Sequence, residues 1–208
     1  MQAKRIKHFF FCCFLFTVNI VVAQEPKLVL PIGHTKSVNY VQFSPDGKKI
    51  VTFSFDKTVK IWDVVTGSIL ADLTGHTNYI NYGQFSPDGT KIVAASDDST
   101  AKIWDAATGT LLADLKGHFS RVGTAQFSPD GTKIVTASEE NSVIIWDAAT
   151  GKLLKKLSGH KGGVLAAMFS ADGKKIITAS YDRTAKVWDA VTGMLLFDLK
   201  GHTDAVNA

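Results

Sequence analysis

The sequence predicts an all-β protein assembled from repeats of 42 residues. The dipeptide Gly-His occurs five times and Trp-Asp four times, and both return at a constant step of 42 residues. A fixed period of about 20–50 residues is typical of repeat architectures, in which neighbouring units bury each other's apolar surfaces. The chain has 208 residues, 45% of them hydrophobic, so it can form a substantial core. The Gly-His pairs begin at Gly33, Gly75, Gly117, Gly159 and Gly201.

Within one repeat, short β-rich segments alternate with turns. In the first repeat, Pro-Asp-Gly at 45–47 predicts a tight turn, because proline fixes the first turn dihedral and glycine tolerates positive φ. The predicted strands Lys49–Ser54 and Thr58–Asp63 follow. Thr-Gly at 66–67 then turns the chain into a last strand, Ser68–Leu73. With the strand that precedes the first turn, each period has four antiparallel strands, which is the composition of one β-propeller blade.

The Gly-His pair, the turn Phe-Ser-Pro-Asp-Gly and the closing Ile-Trp-Asp together resemble the WD-repeat β-propeller family over residues 33–202. The resemblance implies that a hydrogen-bonded set holds each blade: a histidine, a hydroxyl in the second strand, a carboxylate in the next turn and the tryptophan. The implied sets are His34, Thr52, Asp56 and Trp62; His76, Asp98 and Trp104; His118, Thr136, Glu140 and Trp146; and His160, Thr178, Asp182 and Trp188.

Two repeats depart from this pattern. Ala94 replaces the hydroxyl in the second blade, and Glu140 replaces aspartate in the third. Losing one partner of a buried hydrogen-bonded set costs about 1–3 kcal/mol, so both departures are expected to weaken the local network. We therefore expect the second and third blades to be the softest of the four.

The repeated histidine, hydroxyl and carboxylate could be taken for a hydrolase triad, but a structural role is favoured. Catalysis needs an exposed nucleophile and an oxyanion hole that converge on one substrate, whereas this set recurs in every blade between strands. The histidines are spread around a ring rather than gathered on one metal ion. No phosphate-binding glycine loop, zinc-protease helix or nucleophile elbow occurs. The sequence predicts no enzyme activity, no metal and no cofactor.

Positions that differ between the repeats are free of this structural role and are therefore candidates for binding. They follow the Gly-His pair or precede the turn carboxylate, and the resemblance places both loops on the face where family members usually bind partners. Exposed aromatic and arginine side chains commonly anchor interfaces. The candidate partner-binding residues are Lys36, Phe55, Asn78, Tyr79, Asp97, Arg121, Glu139 and Tyr181.

Residues 1–23 have the organisation of a secretory signal peptide. Three basic residues precede an apolar stretch of about 14 residues, which is shorter than the roughly 20 that a spanning helix needs. Val21 and Ala23 fit a cleavage site after Ala23, which predicts export to the periplasm or the medium, with an uncleaved membrane anchor as the alternative. Cleavage would remove both cysteines, so no disulfide is expected. It would also leave 20 basic against 19 acidic residues, a balance that does not favour nucleic acid as a partner.

The predicted fold is thus a β-propeller with four complete blades in residues 33–200 and partial strands at both ends. Residues 24–32 align with the outer strand of a ring-closing blade, and residues 201–208 begin a fifth repeat. The expected ring is incomplete, which favours a longer protein, with self-association through the open ends as the alternative. The expected function is a non-catalytic scaffold for a protein or peptide partner. The alternatives are part of a larger enzyme whose active part lies beyond residue 208 and an envelope protein that binds a carbohydrate or small ligand.

Overall fold

A computed structural model describes residues 33–207, and within that range the chain forms sixteen β-strands and no helix. Its strands are five or six residues long, as the turn spacing predicts. In chain order they are β1 (Val38–Phe43), β2 (Lys49–Ser54), β3 (Val59–Asp63), β4 (Ile69–Leu73), β5 (Ile80–Phe85), β6 (Lys91–Ser96), β7 (Thr100–Asp105), β8 (Leu111–Lys116), β9 (Val122–Phe127), β10 (Lys133–Ser138), β11 (Ser142–Asp147), β12 (Leu153–Ser158), β13 (Val164–Phe169), β14 (Lys175–Ser180), β15 (Ala185–Asp189) and β16 (Leu195–Leu199).

The strands form four antiparallel sheets of four strands each, paired in chain order. We call them blade 1 (β1–β4), blade 2 (β5–β8), blade 3 (β9–β12) and blade 4 (β13–β16). The first strands lie beside one another, β1 next to β5, β5 next to β9 and β9 next to β13. This arrangement confirms the predicted β-propeller blades. Over residues 33–207 the four sheets do not close into a ring.

Each blade packs face to face on the next one. One side of blade 1 places Phe53 and Leu73 against Phe85 and Trp104 of blade 2, and these side chains share one buried cluster. Matching clusters join blade 2 to blade 3 and blade 3 to blade 4. We call the side that meets the following blade the trailing face and the side that meets the preceding blade the leading face. Burying one such side chain stabilises the fold by about 1.5–3 kcal/mol, so these interfaces hold most of the core.

The face between blades 1 and 2 shows how size is matched across an interface. A Cβ on Gly83 would lie close to the ring of Phe53, 2.7 Å from its Cζ, so only glycine fits opposite this phenylalanine. At the next two interfaces alanine occupies both positions. Ala95 and Ala137 are in register with Phe53, and Ala125 and Ala167 are in register with Gly83. A large residue on one face is therefore compensated by a small one on the other.

The turns between the second and third strands take the same conformation in all four blades. Their third residue has a positive φ of 66–73° although none of the four is glycine. A left-handed conformation is unfavourable for residues with a Cβ, and in every blade a hydrogen bond from the hydroxyl of the following residue to the turn carboxylate spans this position. The turn thus has a fixed shape before any ligand binds. The four residues are Lys57, Ser99, Asn141 and Arg183.

The predicted terminal elements fall mostly outside this range. The signal peptide at 1–23 and the outer strand at 24–32 lie outside the described residues. Residues 201–207 contain no strand, and their clearest anchor is a hydrogen bond from the Val206 amide to the Ser180 carbonyl, at 3.1 Å. In the described part of the chain, no helix is long and apolar enough to cross a membrane.

Candidate interaction face and the networks beneath it

In blade 1 the predicted set of four side chains forms one continuous hydrogen-bonded chain. The Trp62 indole donates to Thr52 Oγ1 over 2.8 Å, and His34 Nε2 lies 2.6 Å from the same hydroxyl. His34 Nδ1 lies 2.9 Å from Asp56 Oδ2 and donates to it, because an ionised carboxylate only accepts. These partners fix the histidine tautomer. Blade 4 repeats the chain through His160, with distances within 0.1 Å of these.

The carboxylate at the end of each hydrogen-bonded network accepts from more donors than the predicted histidine. Asp56 also accepts from the backbone amide of Thr35 at 2.9 Å and from the hydroxyl of Thr58 at 2.6 Å. Burial alone would raise the pKa of Asp56, but hydrogen bonds from Thr58, Thr35 and His34 outweigh it and hold the pKa well below its usual value. The second hydroxyl recurs at the 42-residue step, so this repetition was the signal that could have identified it. The four hydroxyls belong to Thr58, Thr100, Ser142 and Thr184.

In blade 2 the hydrogen-bonded network is broken where Ala94 replaces threonine. Trp104 donates instead to the backbone carbonyl of Thr74, over a longer 3.3 Å. The His76 and Trp104 rings approach to 5.5 Å between centroids, compared with 6.3 Å in the other blades. His76 Nδ1 keeps its bond to Asp98, but its buried Nε2 has no hydrogen-bond partner among the described residues. A buried acceptor without a donor costs free energy, so the structure contains a specific defect in this blade.

In blade 3 the longer side chain of Glu140 reaches the histidine, the loop amide and the second hydroxyl, but it does not accept the bond from the backbone amide two residues later that aspartate accepts in the other blades. His118 lies 2.9 Å from Glu140 Oε1 and 2.7 Å from Thr136, which in turn accepts from Trp146. The amide of Phe119 donates to the other carboxylate oxygen at 2.5 Å. The four predicted side chains of blade 3 are therefore all connected, unlike those of blade 2. A stability cost of the longer side chain stays a prediction.

These sets do not have the geometry of a catalytic site. The histidine side chains are at most 4% exposed, and in blades 1, 3 and 4 both ring nitrogens are already bonded within the blade. The hydroxyl that would serve as nucleophile accepts from tryptophan in the same three blades. Within residues 33–207 no group of three or more His, Cys, Asp or Glu side chains could hold a metal ion.

Buried lysines form a second repeated feature, which was not predicted. Lys102 is 6% exposed and its Nζ lies 2.9 Å from Asp114, and blades 1 and 4 contain the same pair. Blade 3 has Ile144 in place of the lysine and Lys156 in place of the aspartate. Lys156 then lies 3.3 Å from Glu140 Oε1. Both halves of the pair recur at the 42-residue step, so they could have been found by aligning the repeats.

The two variable loops of each blade meet through their backbones. The amide of Asp97, in the turn after β6, donates to the carbonyl of Tyr79 over 2.9 Å, and blades 1, 3 and 4 make the equivalent bond at 3.0–3.2 Å. The segment after each Gly-His and the turn between the second and third strands therefore lie together at the same end of the strands. We call this surface the loop face.

An aromatic cluster lies on the loop face where blade 1 meets blade 2. The rings of Phe55 and Tyr79 are 4.8 Å apart between centroids, and Lys36 Nζ lies 5.1 Å from the centre of the Tyr79 ring. Such aromatic pairs contribute about 0.5–1.5 kcal/mol beyond area burial, and an exposed cation–π contact about 0.5–1 kcal/mol. Three predicted binding residues are thus held together. We call them the aromatic cluster.

An ionic cluster occupies the equivalent place between blade 2 and blade 3. Arg121 Nε lies 3.3 Å from Asp97 and 3.6 Å from Glu139. All three side chains are partly exposed, so these ion pairs contribute less than about 1 kcal/mol each to stability. We call Asp97, Arg121 and Glu139 the ionic cluster. Arg121 can therefore exchange one carboxylate partner for the other at little cost.

The remaining predicted residues lie outside these two clusters. Tyr181 is 53% exposed on blade 4, beside Gly162 and Gly163. Asn78 accepts a local bond from the Tyr79 amide. Phe119 is not among the predicted binding residues, although it is 86% exposed on the same face. Its position directly after Gly-His in a variable loop was the available signal.

Comparison with known proteins identifies the repeat. The family model for the WD domain, G-beta repeat, matches four segments, which together span three quarters of the chain: 25–63, 67–105, 109–147 and 151–189. The chain belongs to the WD-repeat family. Each matched segment ends at a Trp-Asp pair, and the three that lie wholly within the described residues start one strand earlier than a blade. The sequence repeat and the blade of this WD-repeat chain are therefore offset by the outer strand.

Curated relatives match the WD-repeat chain over short segments. Notchless protein homolog of Arabidopsis thaliana is 49% identical over 49 residues, which cover 24% of this chain and 10% of that protein. Ribosome assembly protein 4 of Saccharomyces cerevisiae is 40% identical over 57 residues, which cover 27% and 11%. The probable cytosolic iron-sulfur protein assembly protein Ciao1 of Culex quinquefasciatus is 43% identical over 49 residues, which cover 24% and 14%. The chain therefore matches only about a tenth to a seventh of each relative's length.

Replacing Ala94 by threonine should repair blade 2. The new hydroxyl would donate to His76 Nε2 and accept from Trp104, so the free energy of unfolding should rise by about 1–2 kcal/mol. Ala94→Val is the matched control, since it adds similar volume without a hydroxyl. Urea unfolding of both variants measures the difference. Equal stability of the threonine and valine variants would contradict the assignment.

The networks should also make stability depend on pH. Burial lowers the pKa of His118 and His160, and bonds to Glu140 and Asp182 only partly offset it. The unfolded chain therefore takes up these protons first, and stability should fall as the pH drops below about 6.5. Burial opposes ionisation of Glu140, but hydrogen bonds from Ser142 and His118 outweigh it and lower its pKa to about 2. Its contribution is complete above about pH 4.5 and is lost between there and pH 2.

Urea midpoints measured from pH 8 to pH 3 test this dependence. Glu140→Gln keeps the shape of the side chain and removes its charge. The stability difference between the wild-type chain and this variant should be constant above pH 7, where His118 is neutral in both chains, and should shrink as the pH falls from 4.5 to 3. A difference that stays constant over the whole range would show that Glu140 is not linked to folding in this way.

Proposed function

We propose that this WD-repeat chain is a non-catalytic interaction scaffold that presents its loop face to a protein or peptide partner. The observation that carries the proposal is the convergence of the variable residues. They gather in the aromatic cluster and the ionic cluster, at the two blade junctions, while the invariant residues are used internally. The relatives named above as assembly proteins support an assembly role.

The chemistry of the loop face suits protein recognition. Tyr79, Phe119 and Tyr181 offer exposed aromatic surface, and Arg121 offers a planar donor group between two carboxylates. Aromatic and arginine residues commonly carry most of the binding energy at interfaces. The loops have fixed turns, so little conformational entropy would be lost when a partner binds. A partner that places apolar side chains on the aromatic cluster and polar groups on the ionic cluster would match this surface.

The triple variant Tyr79→Ala, Arg121→Ala and Tyr181→Ala tests the loop face. Removal of three such anchors should weaken partner binding by about 100-fold or more, because each is expected to contribute more than about 1 kcal/mol. Quantitative affinity capture from the source cells compares this variant with the wild-type chain. The folded structure should persist, because the three side chains are exposed.

The matched control changes three exposed lysines at the opposite ends of the strands, in the turns after the first and third strands: Lys48→Ala, Lys152→Ala and Lys174→Ala. These changes should leave capture unchanged. If the control triple abolishes capture and the loop-face triple does not, the partner binds the other face and the proposal is wrong.

We also propose that the chain is exported and cleaved after Ala23. The basic start, short apolar stretch and small residues before position 24 support this. A C-terminally tagged chain should appear outside the cytoplasm of a bacterial host with Gln24 at its N-terminus. Leu15→Arg interrupts the apolar stretch and should leave the uncut chain inside. An intact Met1 on the exported wild-type chain, or no export, would overturn the proposal.

A further inference from the structure

A cavity of about 370 Å³ lies at the outer rim of blade 4, between the loop that follows Gly159 and the outer strand β16. Residues of β15 complete its lining, among them Lys186. Lys186 lies on the same side of β15 as Trp188, which packs on blade 3. The cavity is therefore on the leading face of blade 4, beside blade 3, and a volume of this size suits a small molecule.

Three lysines line the cavity, and one carboxylate balances them directly. Lys186 is buried, and its Nζ lies 2.7 Å from Asp198 Oδ1. The exposed Lys200 places its Nζ 3.3 Å from the other oxygen of the same carboxylate. The third lysine is Lys161, and among the residues that the structure describes no carboxylate lies at ion-pair distance from its Nζ. Asp198 thus carries one negative charge against three ammonium groups.

The second acidic side chain of the lining, Asp182, is already used inside the blade. Its Oδ2 accepts from His160 Nδ1 and from the Lys161 amide, both over 2.8 Å. Its Oδ1 accepts from the amide and the hydroxyl of Thr184, over 3.0 and 2.6 Å. A carboxylate has about four acceptor sites, so Asp182 has little capacity left for a cation in the cavity. The cavity therefore offers ammonium donors rather than carboxylate acceptors, and its net charge is positive.

Blade 2 contains almost the same set of residues and serves as an internal comparison. Of the eight positions that line the cavity in blade 4, seven carry the same residue in blade 2. The exception is Lys161, where blade 2 has Thr77. The side chains of Lys116 and Lys200, in equivalent places, are both 73% exposed. Because blade 2 lies between two described blades, this agreement shows that the rim of blade 4 does not owe its exposure to the uncovered trailing face.

The other two blades lack this combination of lysines. In blade 3, Phe119 takes the place of Lys161, and Lys156 Nζ lies 5.6 Å from the centre of its ring. In blade 1, threonine stands at both exposed lysine positions, as Thr35 and Thr74. Only blade 4 therefore has a buried lysine and two exposed lysines around one rim cavity. The departure from the repeat at Lys161 is what makes this cavity more positive than its counterparts.

We propose that this rim cavity binds a small molecule that carries a phosphate monoester, with the phosphate held between Lys161 and Lys200. A phosphate monoester is close to doubly negative at neutral pH and has three strong acceptor oxygens, so it matches the excess of ammonium groups better than a carboxylate does. Lysine commonly binds phosphate as a point charge. The partly exposed Leu195 provides an apolar wall for the rest of the ligand. The site is separate from the aromatic cluster and the ionic cluster, so it adds a second binding function.

Titration of the full chain with glycerol 3-phosphate, followed by phosphorus NMR and calorimetry, tests the site. The wild-type chain should bind one equivalent in a saturable way, and glycerol should not bind. Lys161→Thr gives blade 4 the residue of blade 2 and should raise the dissociation constant about 10-fold or more, because a charge-assisted hydrogen bond is lost. Lys116→Ser is the matched control, since it removes an equally exposed lysine beside an aspartate in blade 2 and should leave binding unchanged.

A gain of function provides the sharper test. Thr77→Lys gives blade 2 all eight lining residues of the cavity in blade 4. The backbone should tolerate the change, because the amides of Thr77 and Lys161 make the same bond to the turn aspartate, at 2.9 and 2.8 Å. This variant should bind two equivalents of glycerol 3-phosphate instead of one. Adding Lys161→Thr to it should return the number of high-affinity sites to one.

Three results would overturn the proposal. Equal binding by the wild-type chain and Lys161→Thr, or no saturable binding by either, would show that the cavity is not a phosphate site. A Thr77→Lys variant that keeps the wild-type circular dichroism spectrum but still binds one equivalent would show that the eight lining residues do not define the site. Binding to vesicles that contain phosphatidic acid, without binding to glycerol 3-phosphate, would indicate a lipid surface instead of a small molecule. None of these results bears on the loop-face triple, whose residues are unchanged.

Discussion

Each blade can bury its two apolar faces only against a neighbouring blade, and the other features of the structure depend on this constraint. A single four-stranded sheet has too little volume to enclose Phe53, Leu73 or Trp104, so these residues become core only when the next sheet covers them. The size match between Phe53 and Gly83 shows that each interface is adjusted locally. It follows that one substitution on a blade face affects two blades, and that an end face has the composition of a core.

The hydrogen-bonded chains solve a second problem, which is how to hold each blade against its own loops. The tryptophan lies on the buried face and the carboxylate lies under the loop that follows Gly-His, and the histidine and hydroxyl connect them. The loop face is therefore fixed to the core by polar contacts of defined geometry. Blade 2 lacks the hydroxyl yet keeps the bond from His76 to Asp98, so the loop side of its network survives although the core side is broken.

Most of the fold could be predicted from the sequence because its signals are local. Turn residues and the 42-residue step predicted β2 without error and β3 and β4 to within one residue. The clusters of the loop face could not be predicted, since Phe55 meets Tyr79 only because two blades are adjacent in space. Sequence variation identified these residues but not their partners. Phe119 was missed because exposure depends on the surrounding loops rather than on residue type.

Blade 3 shows that the departures from the repeat are coupled by charge. Where blades 1, 2 and 4 have a buried lysine paired with aspartate, blade 3 has Ile144, which needs no partner. Loss of the lysine would leave an aspartate at position 156 without its cation, and a partly buried charge without a partner is costly. Lysine at that position removes the problem and pairs instead with Glu140, over 3.3 Å. The isoleucine and Lys156 are thus one electrostatic solution, and Glu140 supplies the carboxylate that Lys156 contacts.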